Sequence, residues 1–222
     1  MRNLSNSEYK RSCEKLKSKL DKIIKHKLTE KLDNKNYEAV FAYLEKKFPN
    51  INLRSVNIYL CDSEFLESLG FLGIGGFYER INSTIIIPRK ETQSKINEFE
   101  ICAKLSIDEV LVHELLHYIS DNIGRNNYSI ELEEEFAYGN SLDYLKSKGY
   151  TNDEIIINNY LPFLYMSELL KLKVKNTKKI NEKAKSNAIS RGKELISVYS
   201  SEKPNNNNDN KDVESFLIFD FI

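Results

Sequence analysis

A capped helix that carries two histidines one turn apart is the feature that most restricts how this 222-residue chain can fold. The helix opens with the run SIDE at residues 106–109, a capping box in which the Ser106 hydroxyl and the Glu109 carboxylate satisfy free backbone amides. Its pattern runs to about Asn122, and Gly124 follows as a typical helix stop. The sequence therefore predicts a helix over residues 106–122.

The middle of this helix reads HELLH at residues 113–117. Histidines at positions i and i+4 lie on one helical face, so the imidazoles of His113 and His117 can reach one metal ion. Glu114 lies about 100° round the helix from His113, so its carboxylate can contact a water bound to that metal. Chance supplies roughly 0.004 such matches in a chain of this composition, which disfavours the alternative of two surface histidines without a metal.

A third metal ligand has to come from elsewhere in the chain. A metzincin needs Gly at 120 and His at 123, but these positions hold Ser120 and Ile123, and no histidine follows. A carboxylate from the next helix, predicted over residues 130–148, is the remaining choice. Helical periodicity assigns Glu133 to a solvated face and does not choose among the other three glutamates. The four glutamates of this helix are Glu131, Glu133, Glu134 and Glu135.

The arrangement resembles the gluzincins, zinc peptidases in which HExxH is followed by a glutamate on the next helix. The run EEFA at residues 134–137 is similar to the Glu-Gly-Phe-Ala of their aminopeptidase branch, and the same register is similar to small phage and bacterial zincins. The resemblance covers about residues 54–145. It implies a Zn²⁺ ion held by His113, His117 and Glu134, with Glu131 and Glu135 as the alternatives to Glu134.

Peptide deformylases also carry HExxH, but their third ligand is a cysteine in a Gly-Cys-Leu-type strand. Cys61 stands in Leu-Cys-Asp and Cys102 in Ile-Cys-Ala, so neither has that context. Both are expected to be small buried residues.

The resemblance also implies a mechanism. A metal-activated water would hydrolyse a peptide bond with Glu114 as general base, which makes a zinc endopeptidase the expected activity. Gluzincins usually add a tyrosine or histidine that stabilises the oxyanion, and Tyr138, Tyr160 and Tyr165 are the candidates here.

Around this motif the sequence predicts an α+β fold, a compact zincin-like domain with a small twisted sheet and C-terminal helices. Helical periodicity over residues 9–32 and 37–48 predicts an N-terminal helical hairpin. Alternation at residues 56–61 predicts a strand, and two β-rich runs about Asn82-Ser83 predict a β-hairpin. The expected units are a helical hairpin (1–50), a metallopeptidase domain (51–200) and a flexible tail (201–222).

The second run of that hairpin is predicted to be an edge strand, because Pro88 closes it and proline is tolerated at edges. The resemblance to the gluzincins implies that this strand runs above the metal-binding helix and binds the substrate backbone as an added strand. The residues assigned this role are Thr84, Ile85, Ile86 and Ile87.

Two C-terminal segments bear on partners. From residue 171 to 193 there are nine Lys or Arg and one acid, which we interpret as a solvated helix face, so no nucleic-acid partner is expected. An asparagine-rich linker then leads to the apolar run VESFLIFDFI at 213–222. Such a tail is expected to dock on its own domain or on a partner, and covering the cleft as a self-inhibitor is one hypothesis.

Composition limits the location. The 33 basic and 33 acidic residues balance, no run of 18 apolar residues exists, and the first thirty residues contain no apolar core of a secretory signal. Three widely spaced cysteines suit a reducing compartment. We expect a cytoplasmic protein, in the host cytoplasm or the virion if phage-encoded, that acts on a protein or peptide substrate.

The rival hypothesis is a non-catalytic or virion-associated binding protein that retains a zincin fold.

Overall fold

The computed structural model describes residues 6–71, 76–80, 82–89, 106–125, 130–161 and 178–201, together with residues 164 and 168. Within these residues, seven helices and a four-stranded sheet form an α+β fold, which confirms the predicted class. The helices are α1 (Asn6–Ile24), α2 (Glu38–Lys47), α3 (Ser63–Ser68), α4 (Ile107–Asn122), α5 (Ile130–Ser147), α6 (Asn152–Ile155) and α7 (Lys178–Ser201). The strands are β1 (Glu30–Lys31), β2 (Asn57–Cys61), β3 (Phe77–Glu79) and β4 (Thr84–Pro88).

The sheet has the order β1-β2-β4-β3. Its two inner strands run parallel, with Ile58 opposite Ile85, and each outer strand runs antiparallel to its neighbour. The hairpin predicted about Asn82-Ser83 is present as β3 and β4, and Ser83 takes the positive φ of 46° that a tight turn can require.

The prediction of an edge strand over Thr84–Ile87 is wrong. β4 pairs with β2 on one side and with β3 on the other, and all five of its residues are buried. Three consecutive isoleucines bury both faces of the strand, as in the interior of a parallel sheet. Pro88 is tolerated because it is the last residue of the strand rather than because the strand is at an edge. In the described part of the chain, β3 is the terminal strand on this side.

The sheet separates two hydrophobic clusters. On one face, Ile58, Ile85 and Ile87 pack with α2 and α4 in the main core, while Cys61 and Ile86 face the opposite side, under α1 and α3. A third cluster joins α5 to α6 and α7. Helix α4 therefore lies in the middle of the molecule, between the sheet and α5.

The predicted N-terminal helical hairpin is also wrong. Helix α1 ends at Ile24, and the chain continues as β1, where the Leu32 N–H donates to the Ile58 carbonyl oxygen at 2.9 Å. This segment crosses the edge of the sheet. Consequently α1 packs on one face through Leu20, and α2 packs on the other face through Phe41.

Most of the other predicted elements are confirmed. The capping box at the start of α4 is formed, and α4 and α5 match their predicted ranges within one residue. A second capping box, formed by Thr151 and Glu154, begins α6. The predicted C-terminal tail lies outside the described residues from residue 202 onward. None of the described helices is both long enough and apolar enough to cross a lipid bilayer.

Candidate metal centre

The two histidines are presented by a helix that is buried over most of its surface. Val112, Leu115, Leu116 and Ile119 are inaccessible to solvent, so α4 is held by the sheet on one side and by α2 and α5 on the others. Such an all-round apolar helix is fixed by packing. The side chains of Glu114 and His117 on this helix reach a cleft, and His113 lies beside them.

Helix α5 brings the third residue of the site. Phe136 and Ala137 pack into the main core against α4, while Leu142 and Leu145 face α6 and α7. Glu134 lies close to the α5 residues that contact α4, and its carboxylate points at the two imidazoles. Tyr138, one turn further along α5, places its ring centroid 4.5 Å from that of His113.

The three side chains converge on one point. The Nε2 atoms of His113 and His117 are 3.1 Å apart, Glu134 Oε2 is 3.1 Å from His113 Nε2, and Glu134 Oε1 is 3.5 Å from His117 Nε2. Ligands at about 2.0–2.1 Å from a tetrahedral ion stand about 3.3–3.4 Å from one another. The spacing of the donor atoms therefore fits a single ion. Among the described residues, this is the one group of histidine, cysteine and acidic side chains that could hold a metal ion.

The charges of His117 and Glu134 are coupled. Burial opposes protonation of His117, but the hydrogen bond and negative charge of Glu134 raise its pKa to about 9. Burial likewise opposes ionisation of Glu134, yet its hydrogen bonds to His113 and His117 hold the pKa of this carboxyl well below its usual range.

Glu114 is buried beside the two histidines, with 6% of its surface exposed. Burial raises its pKa above the ordinary range, partly opposed by the neighbouring histidines, and the Tyr78 backbone N–H donates to its carboxylate. Gly76 packs directly against it, because a Cβ at residue 76 would stand 3.1 Å from Glu114 Oε1. Glu114 thus lies beside the convergent donor atoms but outside their group.

A cleft of about 460 Å³ leads to this group. Glu114 and His117 form its floor, and residues 76–80 of the β3 segment form one wall. Glu133 and Glu134 of α5 and Leu16 of α1 also line the cleft. The side chains of His113, His117 and Glu134 remain 18%, 14% and 21% exposed, so the convergence point is accessible from the cleft.

The other glutamates of α5 have different partners. Arg191 Nη2 of α7 donates to Glu135 at 2.5 Å, which turns Glu135 away from the histidines. Glu133 was expected on a solvated face, but it is only 17% exposed, lines the cleft and pairs with Arg80. The Glu131 side chain lies outside the described residues. The geometry thus brings Glu134, rather than Glu133 or Glu135, to the two histidines.

The tyrosines considered as oxyanion-stabilising residues also differ in their contacts with the site. The Tyr160 hydroxyl donates to the Tyr138 carbonyl oxygen at 2.6 Å, and Tyr160 is fully buried. Tyr160 is therefore a packing residue, whereas Tyr138 contacts the site through His113. Tyr165 lies outside the described residues.

Sequence reasoning missed the role of residues 76–80. The continuous apolar run at 85–87 was a signal for an interior strand, and the shorter β3 was then the remaining candidate for the edge. Arg80, which contacts both α4 and α5, had no comparable signal in the sequence.

No protein-family model matches the chain, and neither a curated protein nor a solved structure matches it at a significant level.

Proposed function

We propose that this chain is a zinc-dependent peptidase of the gluzincin type. The observation that carries the proposal is the convergence of His113 Nε2, His117 Nε2 and a Glu134 carboxylate oxygen on one point at the floor of an open cleft. Two imidazoles and one carboxylate form a ligand set that catalytic zinc sites use, because it leaves a coordination position for water or substrate.

Zinc is favoured over other ions by the chemistry of the donors. Imidazole nitrogens suit zinc, copper, iron and nickel, whereas magnesium and calcium prefer oxygen ligands throughout. When bound, such an ion lowers the pKa of a water and polarises a carbonyl group.

Glu114 is the proposed general base. A base works best when its pKa lies near the working pH, and burial moves the pKa of Glu114 upward from the usual carboxylate range. Its carboxylate borders both the metal ligands and the cleft, so it can accept a proton from a water there and return it to the leaving amine.

The β3 segment is the proposed substrate-binding edge, in place of Thr84–Ile87. Tyr78 pairs with Ile85, yet its N–H points to Glu114 rather than to β4. In an antiparallel ladder the carbonyl of such a residue points the same way as its N–H. The Tyr78 N–H is taken up by Glu114, so the Tyr78 carbonyl oxygen is the backbone group with which an extended peptide can pair as an added strand.

The test compares wild-type protein, metal-depleted protein and protein reloaded with Zn²⁺ on a denatured protein substrate such as casein. The proposal expects cleavage by the wild type, loss on depletion and recovery on reloading with one equivalent. A protein that binds zinc but cleaves neither casein nor a proteome-derived peptide library would instead support a binding role.

The proposed location remains the cytoplasm, or the virion if the chain is phage-encoded.

A further inference from the structure

One arginine joins the three elements that build the site. Arg80 directly follows β3, and its Nε donates to Asp121 Oδ2 at 2.7 Å in the last turn of α4. Its Nη2 lies 2.6 Å from Asp121 Oδ1 and donates to Glu133 Oε1 of α5 at 3.0 Å. Of the described residues that line the cleft, Arg80 is the single lysine or arginine.

The two partners of Arg80 are closely tied to the metal-binding residues. Asp121 lies four residues after His117, on the same side of α4, and Glu133 immediately precedes Glu134 on α5. Holding Asp121 and Glu133 on one guanidinium therefore fixes how far α5 stands from the histidines.

We infer that Arg80 is a positioning residue for the metal ligand Glu134, an inference that rests on the proposed metal site. Glu134 must stay within reach of both imidazoles, and the observed distances of 3.1 and 3.5 Å leave little tolerance. The guanidinium is suited to this task because it can bind two carboxylates at once in a fixed geometry.

Charge gives a second reason. Asp121, Glu133 and Glu134 place three carboxylates close together at the junction of α4 and α5. Arg80 places one positive charge between the first two, and without it the mutual repulsion of the carboxylates would favour separation of the helices. Tyr78 lies at the same junction, close enough to Asp121 and Glu114 for the Asp121 charge to act on its hydroxyl and for its backbone to act on Glu114.

The chain contains a matched control. Arg54 also bridges two carboxylates, with Nη2 2.7 Å from Glu38 Oε1 and Nε 2.7 Å from Glu45 Oε1. None of these three residues lines the cleft. Loss of Arg54 removes a comparable pair of ion pairs without touching the site.

The experiment titrates the full-length metal-free protein with Co²⁺ and records the visible absorption that reports ligand geometry. Arg80→Ala is expected to weaken Co²⁺ binding about 10- to 100-fold, the usual cost of removing a group that orients ligands, and to change the spectrum. Arg80→Lys should lose less than Arg80→Ala because it keeps the positive charge, but it should still bind Co²⁺ more weakly than the wild type because an ammonium does not reproduce the two-carboxylate geometry. Arg54→Ala should bind Co²⁺ within about twofold of wild type. Adding Glu133→Ala to Arg80→Ala should recover part of the loss, since it removes one repelling charge.

Wild-type affinity and spectrum in a folded Arg80→Ala protein would overturn the inference, as would an equal loss in Arg54→Ala. If Arg80→Ala does not fold, Arg80→Lys decides, and wild-type behaviour of that variant counts against the positioning role. Failure of the wild type itself to bind Co²⁺ or Zn²⁺ would instead refute the proposed metal site.

Discussion

The backbone N–H of Tyr78 donates a hydrogen bond to the carboxylate of Glu114, so the strand that borders the cleft directly contacts the acid of the HELLH helix. The contact joins the proposed peptide-binding edge to the proposed base. It also gives Glu114 a fixed orientation inside a site where burial alone would disfavour its charge.

Replacing Glu114 with glutamine separates metal binding from catalysis. The amide keeps the shape of the side chain and can still accept the Tyr78 N–H, but it cannot take up a proton. We expect Glu114→Gln to bind one Zn²⁺ with nearly wild-type affinity and to hydrolyse casein about 10²- to 10⁴-fold more slowly. Hydrolysis at the wild-type rate would remove Glu114 from the mechanism.

Replacing Glu134 with alanine should release the metal. Glu134 supplies one of the three convergent donors, and its loss should cost more than the 10- to 100-fold typical of an outer partner, so at least about 100-fold in Zn²⁺ affinity. Glu135→Ala is the control, because it breaks the ion pair with Arg191 instead. Isothermal titration with Zn²⁺ measures both. Equal losses from the two variants would speak against Glu134 as the ligand.

Metal affinity should increase with pH. In the metal-free protein the pKa of His117 is raised to about 9, and a metal ion requires the unprotonated imidazole. Below that pH each ion displaces a proton, so the apparent affinity should fall about tenfold per pH unit. Competition with a chromophoric chelator between about pH 6 and pH 8 measures it. A flat profile would mean that His117 is not protonated in the free site.

The metal-free protein should show the opposite trend in stability. A folded-state pKa raised from 6.5 to about 9 means that protonated His117 stabilises the fold fully below pH 6.5. That contribution is lost as the pH rises through 9. The melting temperature of the metal-depleted protein should therefore fall as the pH rises from 6.5 to about 9. A rise in melting temperature over this range would contradict a protonated His117 in the folded protein.

Gly76 provides a test of the contact between β3 and α4. A Cβ at this position would stand 2.6 Å from Val110 Cγ1, so Gly76→Ala must push the strand away from the helix. We expect a stability loss of about 1–3 kcal/mol and a fall in hydrolysis, with Zn²⁺ still bound because the three ligands are not touched. Gly192→Ala, tight against Ile156 but remote from the cleft, should leave hydrolysis unchanged. Full activity of Gly76→Ala would show that the β3 segment need not lie so close to Glu114.

Local features of the site were predictable from sequence, and features that depend on the order of elements were not. The alignment of His113 and His117 follows from helical geometry alone, and the capping box located their helix within one residue. Glu134 could be singled out only through a resemblance, because several glutamates share its helix face. The partner of Glu135 on α7 and the partner of Glu133 after β3 are distant in sequence.

The errors have the same origin. Whether Thr84–Ile87 is an edge or an interior strand depends on its parallel pairing with β2. In that pairing Asn57 lies opposite Thr84, so the two partners are 27 residues apart in the sequence. The predicted helix over residues 9–32 ends at Ile24 because the following segment pairs with β2, with Glu30 opposite Leu60. Hydrophobic periodicity describes which face of an element is buried but not which neighbour buries it.

The most direct test of the metal centre is anomalous diffraction at the zinc edge from crystals of the protein loaded with one equivalent of Zn²⁺. We expect one strong peak within bonding distance of His113 Nε2, His117 Nε2 and a Glu134 carboxylate oxygen. A peak at any other group of residues, or none in crystals whose site is open to solvent, would contradict the account.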